Sequence, residues 1–141
     1  ILSDLKKRGI KPLGIFGEVA VFDETLDVGS EIKCSIFAEN TVVNVIGVSK
    51  GKGFAGVVKR HGFGGGRETH GSTFHRAPGS IGACAFPSEV WKGQRMPGRM
   101  GFRTVTVKNL KIVKVFEDKN IVLISGAIPG RKNTLITVCE R

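Results

Sequence analysis

Arg95-Met96-Pro97-Gly98-Arg99-Met100-Gly101, together with its counterpart Gly62-Phe63-Gly64-Gly65-Gly66-Arg67, decides how the chain is to be read. Both lie in a stretch from Lys50 to Arg103 where glycines, prolines and cations alternate. Between Phe54 and Phe102 no apolar period of 2 or 3.6 residues is sustained, so neither an amphipathic strand nor a helix can be drawn through most of it. Segments of this length without secondary structure are uncommon inside compact domains, and are either functional or disordered. This one holds thirteen of the twenty glycines, all three histidines and the single tryptophan, which concentrates close backbone approach and recognition chemistry in one place.

On either side the pattern changes to strands. Before the stretch, Ser3 to Gly9 has the caps of a short helix, Glu18 to Phe22 reads as a strand and Asp23 to Gly29 as a loop. Glu31 to Phe37 alternates, with Ile32, Cys34 and Ile36 on one face, and predicts a half-buried strand. Ala38-Glu39-Asn40 supplies a turn, and the β-branched run Thr41 to Val48 is expected to return as its hairpin partner. After the stretch come strands at Thr104–Val107 and Leu110–Phe116, a hairpin loop at Glu117–Asn120, and strands at Ile121–Ile124 and Thr134–Cys139, with Gly126–Gly130 as a turn. Short strands with tight turns and almost no helix indicate a mainly β fold, a small antiparallel barrel or sandwich. Residues 1–49 and 104–141 would build it. Residues 50–103 would be an irregular extension inserted between adjacent strands and anchored at two roots.

Charge separates the same regions. Residues 50–103 carry ten cations and two acids, whereas residues 1–49 carry five and seven, so the net charge of +10 belongs mainly to the extension. Arginines interleaved with glycines, unbalanced by acids, point to a polyanion. The absence of any apolar run approaching eighteen residues excludes a membrane span. The N-terminal charges follow the apolar residues, the wrong order for a secretory leader. Cys34, Cys84 and Cys139 are odd in number and widely spaced, so reduced intracellular thiols are expected, Cys34 and Cys139 as small core residues and Cys84 filling space.

Several motifs compete. Gly51-Lys52-Gly53-Phe54-Ala55-Gly56 satisfies G-x-G-x-x-G after a strand, yet no amphipathic helix or βαβ pattern follows, and Gly53 stands where a phosphate-binding loop needs Ser or Thr. His61, His70, His75 and Cys84 lack the close ligand spacing of a metal site. Ser72 lies near His70 and His75, with only Glu68 to orient a base. No cofactor, small-molecule substrate or catalytic residue is implied. The remaining reading is nucleic acid: glycines let the backbone pass close to a phosphate chain, and Lys50, Lys52, Lys59, Arg60, Arg67, Arg76, Lys92, Arg95, Arg99 and Arg103 are the phosphate candidates. His61, His70 and His75 can donate to phosphate or stack on unpaired bases. Among the aromatic residues, Phe54 and Phe102 are expected to pack near the roots, while others, Trp91 included, are free to stack on bases.

Ser49–Gly56, His70–Ser72 with His75-Arg76, Pro78–Gly82, Met96–Gly101 and Gly126–Gly130, in this order, resemble the family of large-subunit ribosomal protein number three, in its bacterial and organellar branch. The resemblance implies a translation-protein-type β-barrel on the subunit surface. It also implies an extension threading into 23S-type ribosomal RNA toward the peptidyl transferase centre, a role early in subunit assembly, neighbouring large-subunit ribosomal proteins as partners, and no enzymatic activity. Location would be cytoplasmic, in the ribosome, or in an organelle matrix or stroma. Two departures stand out. Bacterial relatives usually carry Gln, methylated in some, in the tip motif where this chain has Arg99, and the family's opening strand pattern does not precede Ile1. The alternative is a free-standing single-strand-binding module of the OB or cold-shock kind.

Overall fold

A computed structural model of the chain describes residues 14, 15, 17, 18 and 29–140. The helix expected at 3–9, the strand over Glu18–Phe22 and the loop over Asp23–Gly29 fall, apart from Glu18 and Gly29, outside the described residues. The elements are β1 (Val42–Val48), β2 (Phe54–Ala55), α1 (Val57–His61), β3 (Gly98–Arg99), β4 (Thr104–Phe116), β5 (Ile121–Ser125) and β6 (Ile136–Glu140). Four of them form an antiparallel sheet in the order β5-β4-β1-β6, and β2 pairs with β3 in a separate ribbon. The fold is mainly β, as expected, and among the described residues the sheet is open rather than closed into a barrel.

The core lies on one face of this sheet. Val43, Val45 and Ile112 are fully buried, with Phe37, Leu110, Val115, Val122, Ile124, Ile136 and Val138 packed against them. In β4 the apolar residues Val107, Leu110, Ile112 and Val115 fall out of step with a period of two, since the first and last gaps are three. Two irregularities repair the phase, one opposite Val43/Val45 and one between Ile112 and Lys114. Each bulge inserts one residue, so the next apolar side chain returns to the buried face. Asn109, at φ 59°, forms the first of them, and its amide donates to Oδ1 of Asn44 at 3.1 Å. What the sequence presents as two strands is therefore one strand of thirteen residues.

The strand expected over Glu31–Phe37 is absent. Cys34–Ile36 form a 3-10 turn, and Ile32 and Ile36 are exposed. The reason is topological: 31–37 was expected to pair with β1, and both edges of β1 are taken, one by β4 and the other by β6. The Asn40 turn attaches to β4 instead, its amide donating to the Ile112 carbonyl at 2.9 Å while the Ile112 amide donates to Thr41. Cys34 and Cys139 are half-buried rather than core residues, and Cys84 is exposed.

Candidate nucleic-acid interface

β1 and β4 are neighbours, so the chain leaves the sheet after Val48 and re-enters it at the register partner, Thr104. The mouth is closed by backbone. The Ser49 amide donates to the Arg103 carbonyl at 3.0 Å, the Lys52 amide to Met100 at 2.9 Å, and the Met100 amide to Gly53 at 2.9 Å, after which Phe54 and Ala55 pair with Arg99 and Gly98. Gly101 makes this closure possible: its φ is 72°, and a side chain there would run into the Lys50 carbonyl. Arg99, expected at a tip, is thus in the root ladder opposite Phe54.

Beyond the ribbon the segment contains more regular structure than its composition suggests. Val57 is buried and starts α1, which stops at Gly62 in the left-handed conformation, a C-terminal cap made without side-chain help. Two of the candidate residues on α1 point back at the returning chain. Arg60 Nη1 donates to the Met96 carbonyl at 2.6 Å and His61 Nε2 donates to the same oxygen at 3.0 Å, so both are half-buried and tie α1 to the segment before β3. A third candidate is also used internally: His75 Nδ1 donates to the Arg67 carbonyl at 2.9 Å, and the Gly66 amide donates to His75.

The other candidates are displayed. Lys50, Lys52, Lys59, Arg67, His70, Arg76, Trp91, Lys92, Arg95, Arg99 and Arg103 are exposed, and residues 76–95 contain only bends and turns. The result is a cationic surface carried on backbone held rigid at its root. Phe54 and Phe102 do not pack there. Among the described residues they are 80% and 60% exposed, and the β2–β3 ribbon beside them is only two residues long. The Arg99 guanidinium stands over the Phe102 ring, 5.1 Å from its centroid, a cation–π pair in the open.

The Gly126–Gly130 turn completes the site. It sits on β1 where Gly47 leaves room, since a Cβ at position 47 would lie 3.0 Å from Pro129 Cγ. The turn carries Arg131 and Thr134 up to Lys50 and Phe102, and the four help to line a cleft of about 410 Å³. A second cleft, of about 370 Å³, lies beside it and is lined in part by Lys50, Lys52 and Arg103. Arg131 was not singled out from sequence, although Gly130-Arg131-Lys132 is a basic turn of the kind that could have flagged it. No group of three or more His, Cys, Asp or Glu able to hold a metal occurs among the described residues, and none of their helices is long and apolar enough to cross a membrane.

The family model described as Ribosomal protein L3 matches residues 18–120. Three relatives carry the description Large ribosomal subunit protein uL3. That of Chloroherpeton thalassium is 49% identical over 140 residues, covering 97% of this chain and 67% of its own length. That of Syntrophus aciditrophicus is 56% identical over 107 residues, covering 76% and 49%. That of Chlorobium phaeovibrioides is 45% identical over 141 residues, covering 98% and 68%. The chain spans between about half and two thirds of the length of these relatives.

Proposed function

The chain belongs to the Ribosomal protein L3 family, and on that premise we propose that it is a structural component of the large ribosomal subunit which binds 23S-type ribosomal RNA. Its role is architectural rather than enzymatic. In this reading 1–49 and 104–141 form the β unit at the subunit surface, and 50–103 is an arm entering the RNA toward the peptidyl transferase centre. The protein acts early in subunit assembly, in the bacterial cytoplasm, beside other large-subunit proteins.

One observation carries this reading: exposed cations are spread along a glycine-rich segment whose two ends are bonded to each other. Such a segment has little core of its own, so contacts with a partner must offset the entropy of ordering its outer part. Arginine supplies planar, multidentate contacts to phosphate. Lys50, Lys52, Lys59, Arg67, Arg76, Lys92, Arg95, Arg99 and Arg103 take the phosphate role, and the exposed His70 and Trp91 take the base role. Arg60, His61 and His75 serve the same surface by holding its backbone.

The test is the salt dependence of binding to a large-subunit RNA fragment. With up to nine phosphate contacts the log-log slope approaches roughly −6 to −8. Replacing Arg67, Arg76, Arg95 and Lys92 together by Gln is expected to flatten it by roughly 3. A wild-type slope near zero would sink the proposal.

A further inference from the structure

Phe102 has a backbone conformation that packing does not account for. Its φ of 50° lies in the left-handed region, which bulky residues enter only where their surroundings hold them and which costs roughly 1–2 kcal/mol. The holding groups are visible: Gly101 precedes it at φ 72°, and Arg103 follows it bonded to Ser49. Yet the strain leaves the ring 60% exposed. Observed strain that displays an aromatic side chain, instead of burying it, is grounds for a functional hypothesis.

The ring faces a built setting. Arg99 stands over it, and it lines the cleft shared with Lys50, Gly51, Arg131 and Thr134. At Gly51 no side chain intervenes: a Cβ there would already be in contact with Phe102 Cβ at 3.5 Å. Thr134 Oγ donates to the Arg131 carbonyl at 2.8 Å, which fixes the turn bearing the second cation. The cleft is at the small end of ligand sites, and among the described residues it combines one aromatic wall with two cations and no carboxylate. Base stacking on an aromatic face is indifferent to sequence and adds to phosphate attraction.

We propose that this cleft receives one unpaired nucleotide of the bound RNA, its base stacked on Phe102 and its phosphate held by Lys50 and Arg131. The inference rests on the RNA-binding reading above, and extends it to the sheet side of the root. An acidic peptide could satisfy the two cations, but it would leave the aromatic wall unused.

The full chain is titrated with a short oligouridylate carrying one central 2-aminopurine, and with the same oligonucleotide made abasic at that position. Wild type is expected to quench the fluorescent base and to prefer the intact strand. Phe102→Leu is expected to lose about 5- to 150-fold for the intact strand, and to match wild type on the abasic one. Phe102→Gly relieves the positive φ, so its Tm is expected to hold or rise while affinity falls. Arg131→Gln is expected to weaken both strands alike. Equal wild-type affinity for the two strands overturns the proposal, as does a Phe102→Gly variant that loses Tm and affinity together. If Phe102→Leu leaves quenching intact while a steep salt slope persists, the nucleotide site fails and the RNA-binding reading stands. If the wild-type slope is near zero, both fail.

Discussion

Ser49 and Arg103 are fastened to each other three times: the Ser49 amide and Oγ both donate to the Arg103 carbonyl, at 3.0 and 3.1 Å, and the Arg103 amide donates to Ser49 Oγ at 3.4 Å. The last is long, so the side chain contributes chiefly through the first Oγ bond. Ser49→Ala is expected to cost about 0.5–1.5 kcal/mol in urea denaturation. Loss of protection at the Arg103 amide should accompany it. An unchanged midpoint would mean that backbone alone closes the mouth.

Asn109 is suited to its bulge because Asn tolerates the left-handed region and β-branched residues do not. Asn109→Val is expected to lose about 1–3 kcal/mol of stability, and Asn109→Gly to remain near wild type. Asn44→Ala, which strips the acceptor from the Asn109 amide, is expected to lose about 1 kcal/mol. Equal midpoints for the Val and Gly variants would show that the bulge slides.

Gly98 lies under the Arg60 guanidinium, where a Cβ would come within 2.6 Å of Nη1. The intruding group is the end of a long side chain, so Gly98→Ala is expected to fold while displacing Arg60 from the Met96 carbonyl. The loss is about 1.5–3 kcal/mol, the range for a charge-assisted bond. Arg60→Met in the Gly98→Ala background should then add little. Additive losses would mean that the two positions act independently.

Without RNA, amide exchange is expected to divide the 50–103 segment. Lys52, Met100 and Gly62, whose amides are bonded to Met100, Gly53 and Val58, should be protected, and 76–95 should exchange quickly. Adding the RNA fragment should slow the second group. Uniform protection of 76–95 in the free chain would contradict coupled ordering.

Much of the sheet was legible because β1, β5 and β6 carry β-branched runs, and the 117–120 loop ends in an Asn able to take φ 50°. The single β4 strand was not, since Lys108-Asn109 resembles a break until the phase of Leu110 and Val115 is counted through two bulges. Glu31–Phe37 misled because alternation reports a preference for pairing, whereas both edges of its expected partner, β1, are filled by strands from later in the chain. In the candidate interface, charge singled out the exposed cations, but composition could not show that Arg60, His61 and His75 turn inward to carbonyls. It also could not show that Arg131 meets Lys50 from more than eighty positions away, a proximity created by the close fit of Pro129 on Gly47.

The pairing of Val48 with Thr104 has a last consequence, for variation in length. Antiparallel partners hold their Cα atoms about 4.5–5.5 Å apart, whatever lies between them in sequence. The closure entropy of the intervening loop grows only by about 0.6 kcal/mol per doubling. Residues gained or lost beyond the β2–β3 ribbon therefore leave the sheet's register and nearly all of its stability unchanged. The reach of the segment can drift under selection while the sheet that carries it stays the same.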